Sequence, residues 1–164
     1  MDIVIKVDTS KFDKKMSDLP SAMMRARRKA LEDIGAEVKS EAVQAFRHPN
    51  LRPSPWAPRK PTYIVKVNKK TGKKTKKLDD HPLLIKTGAL RQSIDAKEQW
   101  PRNMVVVGSD REYASYHQTG TKNMPARPFF PVDREGKLTP HAKRKIDAIV
   151  EKAFDDELRK LGFK

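Results

Sequence analysis

Four histidines, His48, His81, His117 and His141, and a run of cations from Arg59 to Lys77 are the side chains of this sequence best suited to chemistry. The histidines are scattered without metal-ligand spacing, and there is no cysteine to supply a thiolate or a disulfide. His81 follows Asp79-Asp80, a grouping that could hold a cation weakly but that fits a polar turn better. His117 sits between aromatics in Tyr113-Ala114-Ser115-Tyr116-His117-Gln118, with no nucleophile or paired carboxylate placed for it. A structural hydrogen bond therefore outranks general-base work. Gly72, Gly88, Gly108, Gly120 and Gly136 are isolated, so no glycine-rich loop cradles a phosphate. This pattern points away from an enzyme: no catalytic residue, metal or cofactor is expected.

The cations are more telling. Arg59, Lys60, Lys66, Lys69, Lys70, Lys73, Lys74, Lys76 and Lys77 occur with no acid among them. Of the formal net charge of +15, this segment holds +9, residues 1–58 hold +3, 78–138 hold +1 and 139–164 hold +2. The basic character thus belongs to an appendage. Clustered lysine with a single arginine suits non-specific phosphate contact better than base reading. Two readings stand level, a solvated charged loop and a surface facing DNA or an acidic neighbour. Hydrophobic residues make up 37% of the chain and charged ones 35%, polar for a globular protein yet enough for a core. One domain over residues 1–164 is expected, with 59–77 as an insertion in it. The start, MDIVIKVDTS, lacks a signal-peptide pattern and no stretch approaches a membrane span, so cytoplasmic synthesis and no membrane partner are expected.

Periodicity supplies the elements. Ile3, Ile5 and Val7 alternate within Asp2–Asp8 as in a strand. Ser17-Asp18-Leu19-Pro20 reads as a helix start, with proline in the first turn, and the helix runs to about Phe46. Leu31, Ile34, Val38, Ala42 and Phe46 form its apolar stripe, with Arg27, Arg28, Lys29, Glu37, Lys39 and Glu41 opposite. Residues 48–61 are a proline-rich loop that Trp56 can pin to the body. Tyr63–Val67 and Lys74–Leu78 flank Asn68–Lys73 and can form a β-hairpin. Ser93–Lys97 and Met104–Val107, joined by a turn at Pro101–Asn103, form a second antiparallel pair. Tyr113–Gln118 is a short helical segment closing at Gly120 in a left-handed position. Thr139-Pro140 caps a last helix, apolar at Ile146, Ile149, Val150, Ala153, Phe154, Leu158 and Leu161, and stopped by Gly162.

The densest patterning runs from Leu83 to Val132. It contains TG-x-L-R-x-S-I at Thr87–Ile94, a strand ending Val107-Gly108-Ser109, Y-A-x-x-H-Q-x-G at Tyr113–Gly120 and P-A-R-P-F at Pro125–Phe129. In this order the motifs resemble the phage virion morphogenesis family, which includes the Mu-like G protein and is similar in pattern to tail-completion and head–tail joining proteins. Trp56-Ala57-Pro58 followed by Thr62-Tyr63 is similar to an element that precedes a variable insertion in that family. The resemblance implies structural or interface roles for Thr87, Gly88, Leu90, Arg91, Tyr113, His117, Gly120, Pro125, Arg127, Pro128 and Phe129.

Physical reading refines several of these. Gly88 and Gly120 suit backbone conformations that a side chain disfavours. Leu90 and Ile94 suit a core. Arg91 and Arg127 suit forked ion pairs within or between subunits. Phe129 and Phe130, adjacent in an extended segment, should face opposite ways, one to the core and one to an interface.

The expected fold is α+β, a long N-terminal helix and a C-terminal helix packed on a small, mainly antiparallel sheet, with a projecting basic loop or hairpin. The resemblance implies a structural protein of tail completion or head–tail joining, a ring component around the DNA passage, sixfold by family analogy. Its partners would be copies of itself, tail-tube and head-connector proteins and genomic DNA, first in the host cytoplasm and then in the virion's tail or neck. The alternative is a stand-alone, non-specific nucleic-acid-binding protein acting through residues 59–77.

Overall fold

The computed structural model describes residues 10–99, 103–133 and 135–163. The strand expected over Asp2–Asp8 lies outside the described residues, as does most of the turn at Pro101–Asn103. In chain order the elements are α1 (Ser10–Gln44), a 3₁₀ turn (Pro49–Leu51), β1 (Tyr63–Val67), β2 (Lys74–Leu78), the single turn α2 (Ala89–Gln92), β3 (Ile94–Gln99), β4 (Met104–Ser109), α3 (Tyr113–Thr119) and α4 (Pro140–Lys160). Two long helices and two small antiparallel sheets make the protein α+β, as expected. The strands do not share one sheet: β1 pairs with β2 and β3 with β4. Each pair is closed by a connection too short for anything but a hairpin.

Helix α1 starts ten residues before Pro20, which lies inside it rather than in its first turn. A proline there removes one backbone donor and crowds the preceding turn. The Ser17 hydroxyl donates to the Lys14 carbonyl and the Ser21 hydroxyl to that of Asp18, both at 2.8 Å, so side chains take up carbonyls around the defect. The capping signal at Ser17-Asp18 was a mid-helix feature of the same residue types.

The chain forms two compact units. One comprises Met1–Glu37, Ala96–Val106 and Pro140–Lys164. Its buried apolar residues are small: Ala22, Ala26 and Ala30, spaced four apart on α1, with Ala142 and Ala153 on α4. The expected stripe members Leu31 and Ile34 are only half-buried. Ion pairs tie the helices together, Arg25 Nε to Glu157 Oε2 at 2.8 Å and Lys145 to Glu37, and Lys15 Nζ donates to the Gly162 carbonyl at 3.0 Å. The Lys160 ammonium and the Arg25 guanidinium, each bonded to it, hold the Glu157 carboxyl below its usual range, against the opposing effect of burial. Gly35 of α1 is a contact point: a Cβ there would lie 2.7 Å from Val105 Cγ2 and 3.3 Å from Ala96 Cβ. The β3–β4 hairpin comes that close to the helix.

The other unit comprises Val38–Asp95 and Val107–Thr139. Its core is Ala42, Ala45, Phe46, Trp56, Leu90, Ile94, Ala114 and Phe129, with Val43, Leu51, Leu83, Leu84, Ile85, Val107 and Phe130 packed around it. Glu41, expected on the polar face of α1, is instead buried at 3% exposure. Gly88 enters α2 at φ 72°, a left-handed conformation that disfavours a side chain. Ser93 Oγ and Ser109 Oγ lie 2.6 Å apart in a hydrogen bond between the residues bounding the β3–β4 hairpin.

Candidate functional site

Trp56 is the pin of the second unit. Its indole Nε1 donates to the Pro128 carbonyl at 2.7 Å across 72 residues, in a buried bond. Its ring meets Phe46 edge-on at 5.8 Å, and the Arg52 guanidinium stacks 3.7 Å from its centroid. Arg52 Nε and Nη2 donate to the carbonyls of Ala45 and Phe46, the orphan acceptors where α1 ends. The proline-rich loop is thereby fastened to the P-A-R-P-F segment at one end and to the end of α1 at the other.

The P-A-R-P-F segment is held by α3. Gln118 Oε1 accepts from the amides of both Phe129, at 3.0 Å, and Phe130, at 3.1 Å. Two successive N–H groups converging on one oxygen cannot belong to an extended strand. The two rings accordingly do not diverge: Phe129 is fully buried, and Phe130 packs against it at 4.7 Å, half-buried. Phe129 is the core residue expected, but the expectation that the two rings face opposite ways is corrected. Pro128 and Pro131 are buried and Pro125 is exposed. Gly120 closes α3 by donating to the Tyr116 carbonyl, with φ 79° and ψ 176°. That is a glycine-favoured region but not the left-handed helical one, and a Cβ would meet the Ala126 nitrogen at 2.8 Å.

Among the described residues Arg127 makes no forked ion pair. Its Nε and Nη2 donate to the carbonyls of Ala57, at 3.2 Å, and Pro58, at 3.5 Å. Proline-rich loops have carbonyls that no helix or sheet satisfies, and an arginine fork fits them. Arg91 stands half-buried on α2, near the buried Leu90 and the exposed Thr87. His117 accepts the Arg127 amide at its carbonyl at 2.7 Å, so the structural hydrogen bond is made by its backbone. Its ring meets Tyr113 edge-on at 6.0 Å, and its Nδ1 is buried without a hydrogen-bond partner among the described residues. Burial, and then the Arg127 charge, push its pKa below the usual 6.5, which keeps the imidazole neutral near pH 7.

Among the described residues, no group of three or more His, Asp or Glu is placed to hold a metal ion. Asp79, beside His81, is used structurally. Its carboxylate faces Arg59 at 3.4 Å and Lys86 at 3.7 Å, and accepts the His81 amide at 3.3 Å. Burial raises its pKa, but the amide bond and the two cations outweigh that and leave it below the ordinary value.

The basic segment is a β-hairpin, with Tyr63 opposite Leu78 and Val67 opposite Lys74. Asn68 builds the turn: its Oδ1 accepts from Lys70 and Thr71, its carbonyl accepts from Gly72, and Gly72 takes φ 67°. Arg59 leaves the set of available cations. Its Nη2 donates to the carbonyls of Asp79 at 2.7 Å and His81 at 2.6 Å, clamping the two ends of the hairpin together. The other eight cations are exposed, and Lys76 Nζ lies 4.7 Å from the Tyr63 centroid. No carboxylate among the described residues pairs with any of the eight. Sequence reasoning gave no role to Gln118 or Arg52 and weighed Asp79 only within a polar turn or weak cation site. Gln118 stood inside a motif, whereas nothing local marks Arg52.

The arrangement is thus a clamped basic hairpin beside a cluster in which Trp56, Gln118 and Arg127 hold distant backbone. The profile of the phage virion morphogenesis family matches residues 7–155. The chain belongs to that family, a structural family of phage particles. No curated protein and no solved structure is significantly similar to it. No helix among the described residues is long and apolar enough to cross a membrane.

Proposed function

We propose that the protein completes phage tails or joins them to heads, as one subunit of a ring around the DNA passage. Family membership over residues 7–155 carries this reading. The site supports it in kind, because motif residues such as Gln118 and Arg127 hold one packed unit together instead of assembling a reactive centre. A ring of identical subunits needs such a body and two different complementary surfaces. The protein acts in the host cytoplasm during assembly and then resides in the tail or neck, against tail-tube and connector proteins.

Electron microscopy of lysates from the parent phage lacking this gene tests the reading. Filled heads beside separate tails are expected. Tails of irregular or excessive length assign a terminator, and regular tails that fail to attach assign a joining protein. Normal, joined particles would overturn the proposal. Eight cations of the 59–77 segment with no acid partner among the described residues favour one second reading, a stand-alone protein binding nucleic acid without sequence preference. It would predict normal particles together with salt-sensitive DNA binding.

A further inference from the structure

Cross-strand partners share a face of a hairpin, so Tyr63, Val65 and Val67 of β1 lie on one side with Leu78, Lys76 and Lys74 of β2. All four apolar residues on that side are half-exposed: Tyr63 54%, Val65 53%, Val67 53% and Leu78 50%. Among the described residues neither edge of the hairpin is paired to a third strand. A two-stranded sheet alone in water is marginal, and an apolar face this open calls for cover. Phosphate contact would use the lysines but not Tyr63, Val65, Val67 and Leu78. The occupant must be both apolar and acidic, which a protein surface supplies and a DNA backbone does not.

The chain itself carries such a surface. Between Ile146 and Leu158 of α4 stand five acids, Asp147, Glu151, Asp155, Asp156 and Glu157, against one base, Lys152. Glu157 is taken by Arg25 and Lys160, and Asp147 by Lys143. Glu151, Asp155 and Asp156 are exposed and have no partner among the described residues. Glu151 and Asp155 are four apart, on one line of the helix. Phe154 and Leu158, half-buried, lie three residues beyond each of them on the same side. Glu151 and Asp155 are separated by about 6 Å along the helix. Lys74 and Lys76, two apart on one face of a strand, are separated by about 6.8 Å. The charges can meet in register while Phe154 and Leu158 cover the exposed apolar face.

We infer that the basic hairpin of one copy docks on the acidic stripe of α4 of a second copy, and that this head-to-tail contact links subunits in the ring. The inference rests on the proposed ring and names the surfaces that close it. Two different patches on one chain make a heterologous contact, the kind that generates rings.

A charge-swap mixing experiment tests it. Full-length chains carrying Lys74→Glu with Lys76→Glu, or Glu151→Lys with Asp155→Lys, are followed by native mass spectrometry and sedimentation. Circular dichroism and melting confirm that both are folded. Each variant alone should need a roughly tenfold or greater concentration to assemble, since like charges then face each other. Mixed one to one, they should assemble again into even-numbered species with alternating subunits, because every interface is complementary once more. Assembly of either variant alone as readily as the unaltered chain would overturn the inference, as would a mixture that stays dissociated. Unchanged assembly with lost affinity for a short DNA duplex would assign the hairpin to DNA. An unaltered chain that stays monomeric at every concentration and salt would remove the ring itself, a failure separable from that of the interface alone.

Discussion

Single side chains here act mostly on distant backbone. Trp56 illustrates the consequence, because its indole is the donor for a buried carbonyl 72 residues away. Trp56→Phe should keep most of the ring packing yet destabilise the protein by about 1–3 kcal/mol, the cost of a buried unsatisfied acceptor, as read by urea unfolding. Gln118→Leu should cost more, because it strands two amides, Phe129 and Phe130, where Trp56→Phe strands one carbonyl. His117 offers a pH test. Its folded pKa lies below 6.5, so the unfolded chain takes up its proton first as pH falls. The stability this histidine contributes is complete above pH 6.5 and is lost as pH drops below that value. Melting of the native chain should therefore decline between pH 7 and 5, and His117→Gln should flatten that decline. Of these residues, the motifs announced His117 and Gln118, and composition announced Trp56. Their partners could not be read, because each lies on a segment that only folding brings near.

At the scale of elements, Gly35 inverts an ordinary rule. A glycine inside a helix usually costs about 1 kcal/mol relative to alanine, so Gly→Ala usually stabilises. Here the added Cβ would lie 2.7 Å from Val105 Cγ2, and a β-branched side chain has little freedom to yield. Gly35→Ala should destabilise by about 1–3 kcal/mol, the usual cost of overpacking. Val105→Ala in the same chain should abolish or reverse that penalty, measured as a double-mutant cycle in urea. Strand and helix types in the described chain were readable because alternation, capping and helical spacing act within a few residues. The error at Pro20 shows the reach of that logic. Proline after Ser-Asp is the same local signal at a helix start and in a helix interior, and the residues before it decide which.

For the whole molecule, the hairpin stands outside the core, since none of its residues joins the buried cluster around Phe46, Trp56 and Phe129. Replacing Lys66–Lys77 by a short glycine-containing turn should leave cooperative unfolding intact and the melting temperature within a few degrees, while assembly is lost. By itself the sequence determined the α+β composition, the family, the possibility of a hairpin and the concentration of more than half the net positive charge in residues 59–77. Those properties are written in neighbouring residues and in composition. Only the tertiary structure decided that the strands form two sheets, that alanines are the buried residues along the first half of α1, and that Arg127 holds carbonyls where a carboxylate was expected. It also decided that Arg59 clamps the hairpin while eight other cations stay open. The physical reason is the same in each case. A buried or charged group takes whichever partner the folded chain places within a few ångströms, and sequence distance does not carry that information.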